Sequence, residues 1–346
     1  MKNKLHIKLF FLFIFMCFSI LTASLSSCKN MNDYQDEWKK VNNKGIAFFK
    51  NGNFQEAKDC FNKAYEDALK HFSVEHEYTL TSLNNLALTM GELGEYSSAK
   101  PLFIKVLEIE IKKLGKENPS TLITINNLAE LDEAQGNFQI AEKRYSEVLY
   151  YRKKLLGEKH PDTLRALNNL GALLTKEGKY SEAEPMLKKA TNLRREVLGD
   201  NDSETIESIN NLGLLFLEEK KFDRAERLLT LSLRQNEKIH GKEHPNTITS
   251  MNNVALLYKD LKRYAEAEKL LKKVLSLRLK TLGENNPSTL RAYYNLAMLY
   301  NLQGDFDSAK PYAQKVLKMS DEILGKGHID SKKYKTNLLK FLPKRE

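Results

Sequence analysis

The chain has 346 residues, 41% of them hydrophobic and 29% charged, with a formal net charge of +10. That is enough apolar surface for an extensive core and too much for a disordered chain. Three of the excess charges, on Lys2, Lys4 and Lys8, precede an apolar run; the remainder carries about +7, and charge alone makes no case for nucleic acid.

The apolar run, from about Leu9 to Leu21, is shorter than the roughly 20 residues a helix needs to cross the hydrocarbon core. A basic segment followed by a short apolar stretch reads as a secretory signal peptide, here over 1–27. The closing Leu25-Ser26-Ser27-Cys28 resembles the bacterial lipobox, in which small residues precede a cysteine that becomes the lipid-modified N-terminus. That resemblance implies two or three acyl chains on Cys28, which suffice for stable membrane anchoring. Lys29 resembles a signal for the outer membrane, which would place the protein in the bacterial cell envelope, on the periplasmic face if the host has one. The other reading is an ordinary signal peptide cut near Ala23 or Ser27, with Cys28 a free thiol. In the lipobox reading Cys60 has no disulfide partner, and it shares a repeat column with Leu102, Met186, Leu228 and Leu270. It is expected to pack as a small hydrophobe.

A short tether, 28–32, leads to helical pattern from about Asp33, and the repeat array spans 33–346. Trp38 stands in the column of Leu80, Leu122 and Leu164, which predicts packing in the first repeat, with an interfacial membrane contact as the alternative. The element that returns is Asn-Asn-Leu-Ala/Gly: Asn84-Asn85-Leu86-Ala87, then the same at 126, 168, 210 and, with valine, at 252, always 42 residues apart. Fixed self-similarity at such a period is the mark of a solenoid.

Each unit reads as a helical hairpin. Apolar positions Leu83, Leu86, Ala87 and Met90 mark one face of a first helix. A turn glycine follows at 52, 94, 136, 178 and 304, replaced by Lys220 and Lys262 in two units. Two residues on comes an aromatic, and three beyond that always alanine, from Ala57 to Ala309, where a larger side chain would overpack close helices. The second helix ends at Gly115, Gly157, Gly199, Gly241, Gly283 and Gly325, where a left-handed cap favours glycine.

This pattern resembles the tetratricopeptide repeat, and its 42-residue form with a Leu-Gly-x-x-His/Asn-Pro connection is most similar to the kinesin light chain subfamily. The resemblance covers about 33–342 and implies an all-α fold, a right-handed superhelical solenoid of about seven helix-turn-helix repeats plus a C-terminal capping helix. It implies a scaffold whose concave groove holds a protein or an extended peptide. Motor binding is not implied, because no heptad segment precedes the repeats and the lipobox places the chain outside the cytoplasm. By analogy, assembly of envelope or secretion machinery is the expected context.

Within that frame the first asparagines, Asn84, Asn126, Asn168, Asn210 and Asn252, map to groove-facing positions. The second ones map to positions that bond between helices. Five amide hydrogen bonds supply about 5 kcal/mol, while micromolar binding takes about 8, so apolar contacts such as Leu88, Leu214 and Leu256, one turn along, are needed. Arg165 and Arg291 share the face with several acids. His76, His160, His244 and His328, followed mostly by proline, read as helix caps rather than metal ligands. No catalytic residue, metal site or cofactor is expected. The competing readings are an enzyme or enzyme subunit with a cryptic site, and a purely structural envelope spacer; oligomeric state stays open. Basic clusters such as Arg152-Lys153-Lys154 and Arg194-Arg195 read as a solvated outer face. Asp132 stands in a column otherwise filled by Phe48, Met90, Leu174, Phe216, Tyr258 and Tyr300, where a carboxylate is costly unless paired.

Overall fold

The repeat becomes a hairpin because its two helices are bracketed by cap side chains and glycines at fixed offsets. The computed structural model describes residues 30–325 and 327–340; the signal segment, Cys28 and Lys29 lie outside them. The described residues form fifteen helices: α1 Met31–Lys50, α2 Phe54–His71, α3 Glu77–Glu92, α4 Tyr96–Leu114, α5 Pro119–Ala134, α6 Phe138–Leu156, α7 Pro161–Lys176, α8 Tyr180–Leu198, α9 Ser203–Glu218, α10 Phe222–His240, α11 Pro245–Asp260, α12 Tyr264–Leu282, α13 Pro287–Gln303, α14 Phe306–Leu324 and α15 Ile329–Leu338. The architecture is the all-α superhelical solenoid, seven hairpins and a final helix. Helix α1 starts at Met31, not Asp33: Asn30 accepts from the Asp33 amide at 2.9 Å while the Asp33 carboxylate accepts from the Asn30 amide at 2.8 Å, a reciprocal capping box. None of the described helices is long and apolar enough to cross a membrane.

The histidine column caps as its spacing indicates. His76, His160, His244 and His328 accept at Nδ1 from the amide two residues on, at 3.0 to 3.2 Å, and Asn118, Asp202 and Asn286 do the same through a side-chain oxygen. The two glycine columns differ in a way the sequence did not anticipate. Gly304, in the turn within a repeat, has φ 78° and ψ 6°, true left-handed helix, a conformation that Lys220 and Lys262 also reach, at φ 60° and 61°. Gly199, ending a second helix, has φ 89° and ψ 166°, a region in effect closed to any residue with a Cβ. Lysine therefore substitutes in the first column and never in the second.

Packing follows the alanine column: Ala57, Ala99, Ala141, Ala183, Ala225, Ala267 and Ala309 are all 0% exposed. Trp38 is buried, stacks on Tyr78 with ring centroids 4.2 Å apart, and donates to the Ser82 hydroxyl at 2.8 Å, so it packs the first repeat. Cys60 is half-buried.

Two polar features run through this core. Asp132, 0% exposed, meets Lys100 Nζ at 2.7 Å and also pairs with Arg144. The pairing that a carboxylate in that column requires is supplied by basic side chains from two second helices. The second is a correction. Arg152 and Arg194 are not on the outer face: with Arg278 they are 0 to 6% exposed, in one column of the second helices. Each donates to a backbone carbonyl ten residues on, in the first turn of the next helix: Asp162 at 3.1 Å, Glu204 at 2.6 Å and Ser288 at 2.8 Å. Arginine's rigid fork of donors suits that span. Burial pushes Arg278 down to about 9. Their lysine neighbours Lys153, Lys154, Lys188 and Lys189 are exposed.

Finally, the superhelix meets itself. His244 Nε2 lies 2.8 Å from the Lys50 carbonyl oxygen, Asn286 Nδ2 donates to that of Glu92 at 3.0 Å, and His328 Nε2 lies 2.8 Å from that of Ala134. These contacts join residues 194 apart, one superhelical turn along the chain.

Candidate partner-binding groove

First helices carry one mostly apolar column that packs against the core on one side and stays partly open to solvent on the other. Ile46, Leu88, Glu130, Ala172, Leu214, Leu256 and Met298, 42 residues apart, are half-buried in every repeat. Six members are apolar and one is an acid. The result is an apolar stripe along the array, interrupted in the third repeat by Glu130.

The asparagines form the wall beside this stripe. Asn85 Nδ2 donates to Asn42 Oδ1 at 3.0 Å, Asn169 to Asn126 at 3.4 Å, Asn211 to Asn168 at 3.3 Å, Asn253 to Asn210 at 3.0 Å and Asn295 to Asn252 at 2.9 Å. In these five repeats the second asparagine thus bonds back to the first asparagine of the repeat before; Asn127, the corresponding residue of the third repeat, makes no such bond to Asn84. Asn126, Asn168, Asn210 and Asn252 are at most 7% exposed, and their carbonyl oxygens are engaged in this ladder. Asn84 is half-buried, and its Oδ1 accepts from Thr124 at 3.5 Å. Leu88, Leu214 and Leu256 are half-buried, like Asn84 and unlike the four buried asparagines.

Arg165 and Arg291 occupy the same column and differ in use. Arg165 is held by Asp162 at 2.9 Å and by Glu204 through two nitrogens. Arg291 is exposed; burial pulls its guanidinium down, and Tyr334, Asp330 and Tyr96 together more than offset that. Tyr96 belongs to the second repeat and Tyr334 to the final helix, so Arg291 faces both ends of one superhelical turn. Glu207 likewise leaves about half its side chain accessible (49%) while burial raises its pKa. Both observations fit a group that solvent reaches but protein walls, as in the lumen of a closed superhelix.

The centre of the lumen is acidic. Burial, the nearby Glu92 and Glu133 carboxylates and, more weakly, Glu207 hold Glu130 up to about 7, against an opposing hydrogen bond from Asn126. Asn126 and Asn169 donate to it at 2.9 and 3.1 Å. Glu92, though exposed to solvent, is likewise raised by the protein that surrounds it. The single acid in the stripe column was legible in the sequence; its company was not, because Glu92 and Glu207 stand in other columns and come from other repeats.

The sign of the resulting pH dependence follows. An acid whose folded pKa lies above its ordinary 4.5 binds more protons folded than unfolded, so its contribution to stability falls as pH rises from about 4.5 to about 7 and is flat above. Glu130→Gln removes that contribution. In urea titrations the variant is expected to gain stability over the wild type between pH 4.5 and 7 and to hold a constant advantage above pH 7; parallel curves across that window would show that Glu130 is ordinarily solvated.

Among the described residues no three His, Cys, Asp or Glu side chains are grouped to hold a metal ion. A model of the tetratricopeptide repeat family matches residues 40–112, 120–196, 171–238, 202–280 and 251–322. Among solved structures, a Rap protein complexed with competence and sporulation factor superposes with a TM-score of 0.62 at 14% identity, covering 88% of this chain and 80% of that one. The apo form of RapI superposes at 0.58 and 14% identity, covering 83% and 98%. A kinesin light chain protein of Podosopora anserina with nearly identical TPR-like repeats is 26% identical over 58% of this chain and 95% of its own, with a TM-score of 0.45. No curated protein matches the chain.

Proposed function

This chain belongs to the tetratricopeptide repeat family, and from that premise we propose that it is a membrane-anchored scaffold that holds an extended segment of a partner protein in its lumen. A repeat array of this kind is suited to protein–protein interaction and carries no catalytic family signature. The observation that carries the finer reading is the stripe of Leu88, Ala172, Leu214, Leu256 and Met298, interrupted in the third repeat by Glu130. Apolar side chains of a bound segment would cover the leucines, and each leucine-sized group removed from water contributes about 1.5 to 3 kcal/mol. A lysine or arginine of the segment would meet Glu130, whose carboxyl loses its proton as the cation arrives. The binding energy that the amide ladder lacks comes from these two sources. The anchor is Cys28, lipidated as the lipobox implies, which would hold the array at the bacterial envelope, where assembly of envelope or secretion machinery is the expected task.

Panning a random peptide display library against the folded protein tests the groove. Selected peptides are expected to carry spaced apolar residues flanking one lysine or arginine. Leu214→Asp should weaken them at least about tenfold, since burying a charge against an apolar surface costs well over 1.4 kcal/mol, and Glu130→Gln should remove the basic preference alone. Affinity unaffected by Leu214→Asp would place binding elsewhere. Incorporation of an alkyne-tagged fatty acid, lost in Cys28→Ser, tests the anchor separately.

A further inference from the structure

In a solenoid each repeat touches only its neighbours, so contacts between residues 194 apart need a reason. The cap side chains of the last repeats serve twice. His244 and His328 accept at Nδ1 from the amides of Asn246 and Asp330, which leaves Nε2 to carry the hydrogen that reaches the Lys50 and Ala134 carbonyls. Asn286 accepts from Ser288 at 2.8 Å through Oδ1 and donates to Glu92 through Nδ2. The receiving carbonyls are at the ends of α1, α3 and α5, where the helix has no amide of its own to offer them.

Sterics mark the same three places. A Cβ added at Gly52 would lie 2.3 Å from Pro245, at Gly94 2.4 Å from Pro287, and at Gly136 2.8 Å from Ile329, while at Gly178 and Gly304, in the same turn column, it would meet nothing within 4 Å. The remaining two members of the column are Lys220 and Lys262. Side chains therefore occupy this turn only where no later repeat packs on it. Three hydrogen bonds and three ring or side-chain contacts, all in register, form one seam between the first three repeats and the last.

We propose that this seam is a latch: it holds the superhelix shut through one complete turn, fixes the width of the lumen, and opens as a unit when its contacts are broken. A partner segment laid into the lumen sideways would have to pass through it; that consequence rests on the groove reading, whereas the latch itself can be measured with no ligand present.

The chain supplies its own controls. Gly52→Ala and Gly94→Ala pay the strain of positive φ and also drive a methyl group into Pro245 or Pro287; Gly178→Ala and Gly304→Ala, at φ 78° in both, pay the strain alone. A second route spares the glycines. The triple variant His244→Asp, Asn286→Asp, His328→Asp keeps every helix cap, as Asp202 does natively at 2.8 Å, but removes all three donors. Spin labels attached through azide-bearing residues at exposed positions 56 and 243, on either side of the seam, report its width in the full-length protein by pulsed electron resonance. The expected result is a shift to longer distance in Gly52→Ala, Gly94→Ala and the triple variant, with Gly178→Ala and Gly304→Ala unchanged from wild type. An unchanged distance in the triple variant, or an equal shift in Gly304→Ala, would overturn the latch. If the latch holds while peptide selection fails, only the groove reading is lost.

Discussion

Changing Lys100 and Arg144 together to methionine is expected to destabilise the protein by about 3 to 5 kcal/mol, the cost of leaving a buried charge without its partners. Changing Asp132 to leucine is expected to be neutral or stabilising by about 1 to 4 kcal/mol, because a packed apolar group often replaces a buried ion cluster without loss. The asymmetry arises from burial. Asp132 is 0% exposed, while Lys100 and Arg144 keep 31% and 26% of their side chains accessible and can turn to water when the acid is gone. Leu174, its counterpart in the next repeat, already shows that leucine fits the column, at 2% exposure. Denaturant melts of the two variants decide the matter. Equal losses in both would mean that the cluster is a net stabilising element and that the third repeat packs differently from the fourth.

The second large effect concerns the asparagine ladder. Asn252→Ala is expected to cost about 1 to 3 kcal/mol, the penalty of leaving a buried amide unsatisfied, because Asn295 Nδ2 donates to it at 2.9 Å and Asn295 is itself only 7% exposed. Asn295→Ala should cost a similar amount, and the double variant little more than either, since the two changes remove one shared interaction. Thermal melts of the four proteins give the cycle directly. Additive losses would show that the rung at 252 and 295 is not a bond in solution. The result also bears on how binding is tested: alanine at several first-column asparagines loosens the array itself, so a lost partner under those changes would not distinguish contact from folding. Leu214→Asp and Glu130→Gln remove no ladder asparagine, and a denaturant melt of each variant separates a lost contact from lost folding.

The repeat, its hairpin form and its caps were legible in the sequence because each is decided within about ten residues: an acceptor before proline, a glycine where φ turns positive, alanine where helices close. What was not legible depends on residues one repeat or one superhelical turn away. Arg152 and Arg194 stand in runs of basic residues on amphipathic helices, and nothing local separates them from Lys153 or Arg195. Only the next helix, arriving with free carbonyls at Asp162 and Glu204, makes burial favourable. The recurrence of polar residues at Glu110, Arg152, Arg194, Asn236 and Arg278 in a single column was the available signal. The asparagine column was assigned to the groove by resemblance; its engagement with the following repeat depends on a registry of 43 residues that pairs the two columns crosswise. Asp132 was visible as a misfit, but its partners, Lys100 and Arg144, lie on two different second helices.

The contacts between residues 194 apart also set an order of events during synthesis. Nearest-neighbour hairpins close loops of a few tens of residues and can form as soon as each emerges, whereas the His244 contact with Lys50 must wait until more than half the chain has been made. Closing that loop carries an entropic cost that grows only logarithmically with its length, and the intervening hairpins, already folded, shorten it further. The nascent protein should therefore pass through a stage in which the early repeats are built but their turn glycines stand uncovered, and ring closure is the last step rather than the first.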